Sequence, residues 1–396
     1  MKIAISTICP HIYFEGRWWS YEPFVLEMNV WAQIFDELLM VAPLEQGPPP
    51  AFWAPYDESA NVSLTPYRRN KGRGLKQDRS SLLEVPRMVA SIVTAVRRAD
   101  AVHVRCPGSI GLVSTLLIPL LGRRMCAKYA GQWGAYPGEA VSVRLQRALL
   151  RSAWWRGPVT VYGRNANDPG KIVSFFTSSL SPDNLARAKA AAARKPKQTG
   201  LRVLYVGRLS VAKNVDLIVS AIARLVSRGV SVECRIVGDG SERQALESRV
   251  ETENLGQSIS FAGGLTFTEV LDCYEQADVL VLMSQTEGWP KVIAEAMAFG
   301  LICVGSDRGL IPEMLGDGRG IVIPPGDVAG LATALQQISE HPESFEAMRS
   351  RAAAWAAQYS LESLGDALRE LLSTHWGIPL ENSGSKPKMR PADANV

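Results

Sequence analysis

The 396-residue chain is poor in the residues from which metal, haem and disulfide sites are built. It has four histidines and six cysteines, and no two cysteines form a CxxC pair. The six cysteines are widely scattered, and most of them stand in apolar segments: Cys9, Cys106, Cys126, Cys234, Cys273 and Cys303 are the full set. This pattern indicates buried free thiols in a reducing compartment, and it argues against a zinc site or a disulfide framework.

Long hydrophobic runs are also missing. The longest, between Gly108 and Gly122, contains Pro119 and is shorter than the about 18 residues that span a bilayer. The N-terminal segment MKIAISTICP has a short apolar stretch broken by Pro10 and lacks the architecture of a signal peptide. We therefore expect a cytoplasmic chain that is not integral to a membrane.

The net charge is only +4, but it is unevenly distributed. Residues 1–198 hold 26 Lys and Arg against 14 Asp and Glu, whereas the remainder holds 17 against 25. The basic half is compatible with a solvated face, an anionic membrane surface, a phosphorylated substrate or nucleic acid. No nucleic-acid motif accompanies it, so we expect no nucleic-acid partner.

Short apolar runs alternate with helical patterns along both halves of the chain, which predicts an α/β fold made of two Rossmann-like, doubly wound domains facing a cleft. The first domain is expected over residues 1–185, with a long polar surface loop at 51–79 that contains the basic cluster RRNKGRGLK (68–76). An Ala-rich stretch ending in Lys-Pro-Lys forms the linker (186–200). The second domain covers 201–342, further helices cover 343–376, and the tail (377–396) is expected to be disordered.

Two turns follow predicted strands of the second domain and are expected to line the cleft, and the first of them is a candidate anion site. In YVGRLSVAKN, Gly207 follows a strand, and Arg208 and Lys213 precede a helix, where cations and free N–H groups attract phosphate. A pair of solvated surface cations is the alternative. In IVGDGSER, Gly238 allows a close turn, but the full dinucleotide fingerprint is absent, so a dehydrogenase is unsupported.

The segment SQTEGWPKVIAEAMAFG (284–300) carries two glutamates, Glu287 and Glu295. Pro290 suits the first position of a helix that ends near Phe299, so Glu287 is expected just outside the helix and Glu295 within it. A carboxylate in an apolar run needs a partner. Glu295 either accepts hydrogen bonds from two ribose hydroxyls, or contacts a backbone group or solvent.

The motifs VGRLSVAKN, VGDGSER, EGWPKVIAEAMAFG and SDRGLIPEMLGDGRGIVIPPGD resemble the group 1 (family 4) retaining glycosyltransferases of GT-B fold. The resemblance covers residues 201–330 and includes the E-x7-E element. It implies that Arg208, Lys213 and Glu287 are catalytic, and that Glu295 binds the ribose. It also implies that the terminal helices pack back on the first domain, which binds the acceptor.

The resemblance places the other donor contacts in the same turns. They are Gly207, Gly238, Gly264, Leu265, Gly288, Trp289, Lys291 and Val292. The family is metal-independent and needs no cofactor, and the sequence here contains no DxD pair.

The first domain departs from the family. A single Gly16 followed by Arg17 stands where many members have a Gly-rich loop, and Gln132 stands near the place of a frequent histidine. Aromatic rings stack on sugars, which makes Trp133 a candidate contact, with core packing as the alternative. We interpret Gly16, Arg17, Gln132 and Trp133 as candidate acceptor or sugar contacts.

The predicted function is transfer of a sugar, with retention and without metal, from a nucleotide-diphosphate sugar to a saccharide or lipid-linked acceptor. Cell-surface polysaccharide synthesis follows at family level. The basic excess of the first half fits peripheral attachment to the inner face of the cytoplasmic membrane. The alternatives are a sugar-nucleotide epimerase of the same fold and a non-catalytic sugar-nucleotide-binding partner. The sequence does not determine the base, the sugar or the acceptor.

Overall fold

The computed structural model describes residues 1–67, 80–163, 165–193 and 200–380. The basic cluster at 68–76 and most of the predicted tail lie outside these ranges. The elements of the first part of the chain, in order, are β1 (Lys2–Ser6), β2 (His11–Phe14), β3 (Arg17–Tyr21), α1 (Glu22–Ala32), β4 (Glu37–Pro43), β5 (Trp53–Pro55), β6 (Val62–Tyr67), α2 (Ser80–Arg98), β7 (Ala101–Cys106), α3 (Ser109–Leu117), β8 (Arg124–Gln132), α4 (Val141–Arg151), β9 (Val159–Tyr162), β10 (Ile172–Ser174) and α5 (Pro182–Ala193).

The second part of the chain continues the alternation of strands and helices. Its elements are β11 (Leu201–Val206), α6 (Val215–Ser227), β12 (Val232–Val237), α7 (Arg243–Thr252), β13 (Ile259–Gly263), α8 (Phe267–Gln276), β14 (Val279–Leu282), α9 (Lys291–Ala298), β15 (Ile302–Ser306), α10 (Ile311–Leu315), β16 (Ile321–Ile323), α11 (Val328–Glu340), α12 (Glu346–Ala356) and α13 (Leu361–Trp376).

Two parallel sheets form the framework, as the sequence predicts. The first has the strand order β10-β9-β8-β7-β1-β4-β6 and the second the order β13-β12-β11-β14-β15-β16. Their central strands, such as β4, β7, β14 and β15, are almost wholly buried, because helices cover both faces of a doubly wound sheet. The carboxyl ends of parallel strands meet at one edge, which is where such sheets bind ligands.

The segment at 51–79 is not simply the surface loop that its polar composition suggests. Strand β6 pairs in parallel with β4 over Leu38–Pro43 and so forms the edge of the first sheet. Strand β5 joins β2 and β3 in a separate antiparallel sheet of order β2-β3-β5. The polar side chains mislead here because an edge strand and a small exposed sheet tolerate them.

The last helices divide between the two halves. Leu364, Leu368 and Leu372 of α13 join the same core cluster as Trp31 of α1, and the Trp376 indole donates to the Met125 carbonyl (3.3 Å). Helix α12 packs instead on α9 of the second half, which corrects the expectation that the whole terminal segment lies on the first domain. The chain thus passes through the second half and returns to the first.

The Ala-rich segment also differs from a simple linker. Its residues up to Ala193 form α5, and α5 packs on α8 and α9. Ala188 is buried in the core of the second half. Residues 186–193 therefore belong to the packed second half.

Candidate active site

The turns after β11 and β12 are pressed against each other at the edge of the second sheet. The Gly207 amide donates to the Val237 carbonyl (3.0 Å), and the Gly238 amide donates to the Gly263 carbonyl (2.7 Å). Gly238 has a φ of 131°, and a Cβ atom there would lie 1.9 Å from the Gly207 carbonyl oxygen. Glycine is therefore required at position 238 by conformation and by contact.

Lys213 and Glu287, predicted from separate motifs, form an ion pair of 2.5 Å. The side chains are 26% and 11% exposed, so the pair is partly desolvated. Asn214, in the left-handed conformation (φ 48°), holds the two loops together by donating to the Met283 carbonyl (3.0 Å). The backbone N–H of Gln285 adds a second hydrogen bond between these loops by donating to the Ala212 carbonyl (2.8 Å).

Tyr205, which was not predicted as a site residue, stabilises the turn that contains Arg208. Its hydroxyl donates to the Arg208 carbonyl (3.0 Å) and would lie 2.9 Å from a Cβ atom on Gly207. Burial, aided by the Glu287 carboxylate, raises the pKa of Tyr205, so this hydroxyl keeps its proton. Arg208 itself is exposed and lies in the same turn as Lys213, five residues before it.

The backbone of Glu287 is enclosed from two sides. Gly309 (φ 58°) approaches so closely that a Cβ atom there would lie 2.0 Å from the Glu287 carbonyl oxygen. On the other side, a Cβ atom on Gly288 would lie 2.8 Å from Tyr162 and 2.9 Å from the Ala130 carbonyl, both in the first half. The Glu287 turn therefore lies at the boundary of the two halves, with little freedom to move.

Helix α9 starts one residue later than predicted. Pro290 is its N-cap, with ψ of 91°, and Lys291 is the first helical residue. The first N–H groups of a helix have no acceptor within it, so those of Lys291 and Val292 are available at the helix N-terminus. The Lys291 ammonium donates across the boundary to the Pro23 carbonyl (3.0 Å).

Glu295 lies inside α9 and is 5% exposed. Its Oε2 accepts a hydrogen bond from the buried Tyr274 hydroxyl (2.9 Å). Burial raises the pKa of the Glu295 carboxyl, and the positive charge of Lys291 and the Tyr274 bond partly oppose this. The sequence predicted that this acid needs a partner, but it did not identify Tyr274.

Trp289, predicted as a donor contact, packs its indole against other aromatic rings. The indole packs among Tyr162, Phe176, Trp355 and Tyr359, with ring centroids 4.9–6.2 Å apart. These rings come from both halves of the chain and from the connection before α13. The side chain thus anchors the Glu287 turn to the boundary between the halves.

Gly264 and Leu265 follow β13 directly, at the same edge of the second sheet. Gly264 is exposed, and Leu265 is half-buried. A Cβ atom on Gly264 would lie 3.0 Å from the Phe52 ring of the first half. The two halves therefore meet at this segment as well.

Three of the four candidate contacts in the first half lie at two separate places: Gln132 at the end of β8, and Gly16 and Arg17 at the β2–β3 hairpin. Gln132 ends β8 beside the Glu287 turn, and its buried Oε1 has no hydrogen-bond partner. Gly16 (φ 77°) forms the tip of the hairpin between β2 and β3, and the Arg17 guanidinium donates to the Tyr56 carbonyl (2.7 Å).

The expectation for Trp133 is corrected by its position. Its side chain is fully buried, the indole donates to Asp168 (2.7 Å), and the Arg151 guanidinium lies 4.1 Å above the ring. A ring enclosed in this way has no free face for a sugar. Core packing, the alternative considered for this tryptophan, is the one the structure shows.

A buried ionic cluster at the boundary was not predicted. Glu27 on α1 binds the Arg105 guanidinium (2.6 Å) and the Lys128 ammonium (2.8 Å), and its side chain is 4% exposed. Burial alone would raise the pKa of Glu27, but these two cations hold it well below its usual range. Burial, aided by Arg105 and opposed by Glu27, lowers the pKa of Lys128 to about 8.

Within the described residues, no group of three or more His, Cys, Asp or Glu side chains is arranged to hold a metal ion. In the same part of the chain, no helix is both long and apolar enough to cross a membrane.

Comparison with known proteins identifies the family of this chain. The family model described as "Glycosyl transferases group 1" matches residues 187–355. An alpha-D-kanosaminyltransferase from Streptomyces kanamyceticus is 33% identical over 290 residues, which is 67% of this chain and 75% of that protein. The chain belongs to the group 1 glycosyltransferases. It is accordingly an enzyme that transfers a sugar.

Two further relatives match only parts of this glycosyltransferase. A glycogen synthase from Mycobacterium tuberculosis is 34% identical over 163 residues, covering 41% of this chain and 39% of that protein. A putative colanic acid biosynthesis glycosyltransferase, WcaL of Salmonella typhimurium, is 30% identical over 184 residues, covering 44% and 45%.

Solved structures show the GT-B fold over nearly the whole chain. Sucrose-phosphate synthase from Thermosynechococcus elongatus superposes with a TM-score of 0.70 at 18% identity, covering 95% of this chain and 99% of that one. HepE from Anabaena, solved in complex with UDP and glucose, gives 0.67 at 17% identity, covering 94% and 100%.

Proposed function

We propose that this glycosyltransferase moves a sugar from a nucleoside-diphosphate sugar to a saccharide or lipid-linked acceptor, with retention of configuration and without a metal ion. The observation that carries the proposal is the pairing of Lys213, which shares a turn with Arg208, with Glu287, which stands four residues before the start of α9. Two cations and a helix terminus at one sheet edge match the charge of a diphosphate leaving group.

The roles follow from what each group offers. Arg208 and Lys213 offset the negative charge that develops on the departing phosphate, which a metal ion would otherwise do. Glu287, held in place by Lys213 and by the enclosed turn, faces the donor sugar. Glu295, anchored by Tyr274, accepts from the ribose hydroxyls. The free Oε1 of Gln132, across the boundary from Gly288, is suited to a sugar hydroxyl.

Retention is proposed together with attack on the face from which the diphosphate leaves, with no protein nucleophile. The enclosed boundary around Gly288 supports this, because it excludes water and limits where the acceptor hydroxyl can approach. Cell-surface polysaccharide synthesis is supported by the likeness to WcaL.

The test begins with a thermal-shift screen of nucleotide sugars, with Arg208→Ala as a negative control. Transfer is then measured with the stabilising donor and an acceptor pool, by release of the nucleoside diphosphate. Lys213→Ala and Glu287→Ala should each lower the rate about 100-fold or more, the usual loss when one group that stabilises developing charge is removed. The exposed Lys189→Ala, in the same half, should retain full activity.

Two results would contradict the proposal. Near-normal transfer by Lys213→Ala or Glu287→Ala would show that the ion pair does not serve the reaction. A product whose anomeric proton coupling shows inversion would refute retention. Turnover of the donor alone into an epimeric nucleotide sugar would favour the epimerase instead.

We also propose that the first half attaches to an anionic membrane surface. Exposed apolar side chains lie on α3, α4 and the segments beside them: Leu116, Leu120, Val141, Leu145 and Trp154. These side chains lie on neighbouring elements, because the Trp154 indole donates to the Thr115 carbonyl (3.0 Å) and α3 packs on α4. Arg144 and Arg156 are exposed beside them, and the whole half is basic.

Cosedimentation with vesicles tests this surface. Binding should require anionic lipid and weaken with salt, since basic side chains near the surface contribute about 1 kcal/mol each. Leu120→Glu together with Val141→Glu should abolish it, whereas Val226→Glu on the second half should not. Equal binding to neutral and anionic vesicles, or full binding by the double variant, would refute the proposed surface.

A further inference from the structure

The small antiparallel sheet of the first half reaches across the boundary to the segment after β13. Phe52, just before β5, is 37% exposed, and its ring carbon Cδ1 lies 3.0 Å from where a Cβ atom on Gly264 would be. The ring therefore rests on the Gly264 backbone. The Tyr21 ring packs edge-on against the Phe52 ring, with centroids 6.3 Å apart.

Glu22 fixes Phe52 relative to the second half. Its amide donates to the Phe52 carbonyl (3.3 Å), and its carboxylate accepts from the amide of Phe267, the first residue of α8 (2.9 Å). One residue thus binds the backbone on both sides of the boundary. The contact between Phe52 and Gly264 is therefore supported by hydrogen bonds of Glu22 on both sides of the boundary.

We propose that Phe52 forms part of the donor site and covers the nucleobase of the donor from the first half of the chain. The inference rests on the proposed function, in which Gly264 and Leu265 lie near the base. A base that reaches the Gly264 backbone must meet the Phe52 ring, because the ring already touches that backbone. The base then lies against the exposed part of the Phe52 ring, beside the point where the ring touches Gly264.

The residue types suit this role. Every nucleobase has a π face, and stacking on an aromatic ring does not depend on which base is present. Glycine at position 264 permits the close approach of the Phe52 ring, which a side chain at this position would block. Since Phe52 belongs to the first half and Gly264 to the second, a bound base links the two and favours the closed cleft, in which the acceptor can reach the sugar.

The decisive measurement is calorimetric binding of UDP, GDP and pyrophosphate to the full chain and to Phe52→Ala. Loss of one base-stacking ring weakens nucleoside diphosphate binding about tenfold, while pyrophosphate, which has no base, should bind both proteins equally. Phe52→Trp should bind like the original chain. Tyr13→Ala, which removes a 58% exposed ring from the same small sheet, is the matched control and should change nothing.

Three results would overturn the inference. Unchanged nucleotide affinity in Phe52→Ala would show that the ring does not touch the base. An equal loss of pyrophosphate binding would show a general structural effect of the substitution. An original chain that binds no nucleoside diphosphate would refute the proposed function itself, and the inference with it.

Discussion

Replacing Glu27 by glutamine should strongly destabilise the first half of the chain. The Glu27, Arg105 and Lys128 side chains are 4%, 15% and 6% exposed, so the cluster is removed from water. Removal of one partner of such a buried pair costs about 3–5 kcal/mol, because it leaves a buried charge without compensation. We expect the lower end of this range, since Lys128 can shed its proton whereas arginine cannot.

The same reasoning separates the two cations. Lys128→Met leaves the pair of Glu27 and Arg105 intact and removes a surplus buried charge, so it should change the free energy of unfolding by less than about 1 kcal/mol. The pKa of Lys128 is about 8 in the folded chain against 10.5 ordinarily. Between these values the unfolded chain binds the extra proton, so the free energy of unfolding should rise with pH, and Lys128→Met should abolish that rise.

Urea unfolding followed by tryptophan fluorescence measures both effects. Glu253→Gln is the control, because it breaks an ion pair near the surface: the Arg249 and Glu253 side chains are 33% and 35% exposed. It should lower the free energy of unfolding by less than about 0.5 kcal/mol. The reasoning would be refuted if Glu27→Gln cost less than about 1 kcal/mol. It would equally fail if Lys128→Met were as damaging as Glu27→Gln.

Two predictions concern the second half. Burial raises the pKa of Glu295, so donor affinity should fall as the pH drops, beginning above the value near 4.3 at which an ordinary glutamate titrates. In Glu295→Gln the donor affinity should be lower and should not change with pH. If calorimetry gave the variant the same pH profile as the unchanged chain, the ribose role of Glu295 would be contradicted. Gly238→Ala places a Cβ atom 1.9 Å from the Gly207 carbonyl and should cost roughly 1–3 kcal/mol of stability along with donor binding. Gly256→Ala, with no atom within 4 Å of the new carbon, should be neutral in thermal unfolding.

The predicted elements of the second half agree well with the structure. Runs such as LRVLYVG and DVLVLMS are short, apolar and followed by helical periodicity, so their identity as buried parallel strands follows from local pattern. The polar segment at 51–79 misled because strands β5 and β6 are held by pairing with residues elsewhere in the chain. Their own composition carries little sign of it.

The candidate site shows the same division. The positions of Lys213, Glu287 and Glu295 on turns and a helix were readable from their motifs. Their partners were not: Lys213 and Glu287 are 74 residues apart, and Tyr274 reaches Glu295 from another helix. Trp133 was misread because a tryptophan has the same composition signal in a core as at a sugar site, and only its surroundings separate the two.

The sequence by itself determined the alternation of strands and helices, the order of the turns that carry Arg208, Lys213 and Glu287, and the placement of two acids just before and within one helix. These depend on spacing within about ten residues, where the backbone imposes its own geometry. The tertiary structure alone decided which residues meet: Lys213 with Glu287, Glu27 with two cations, and Phe52 with Gly264. Such contacts depend on how two sheet edges face each other, and no local pattern encodes that distance.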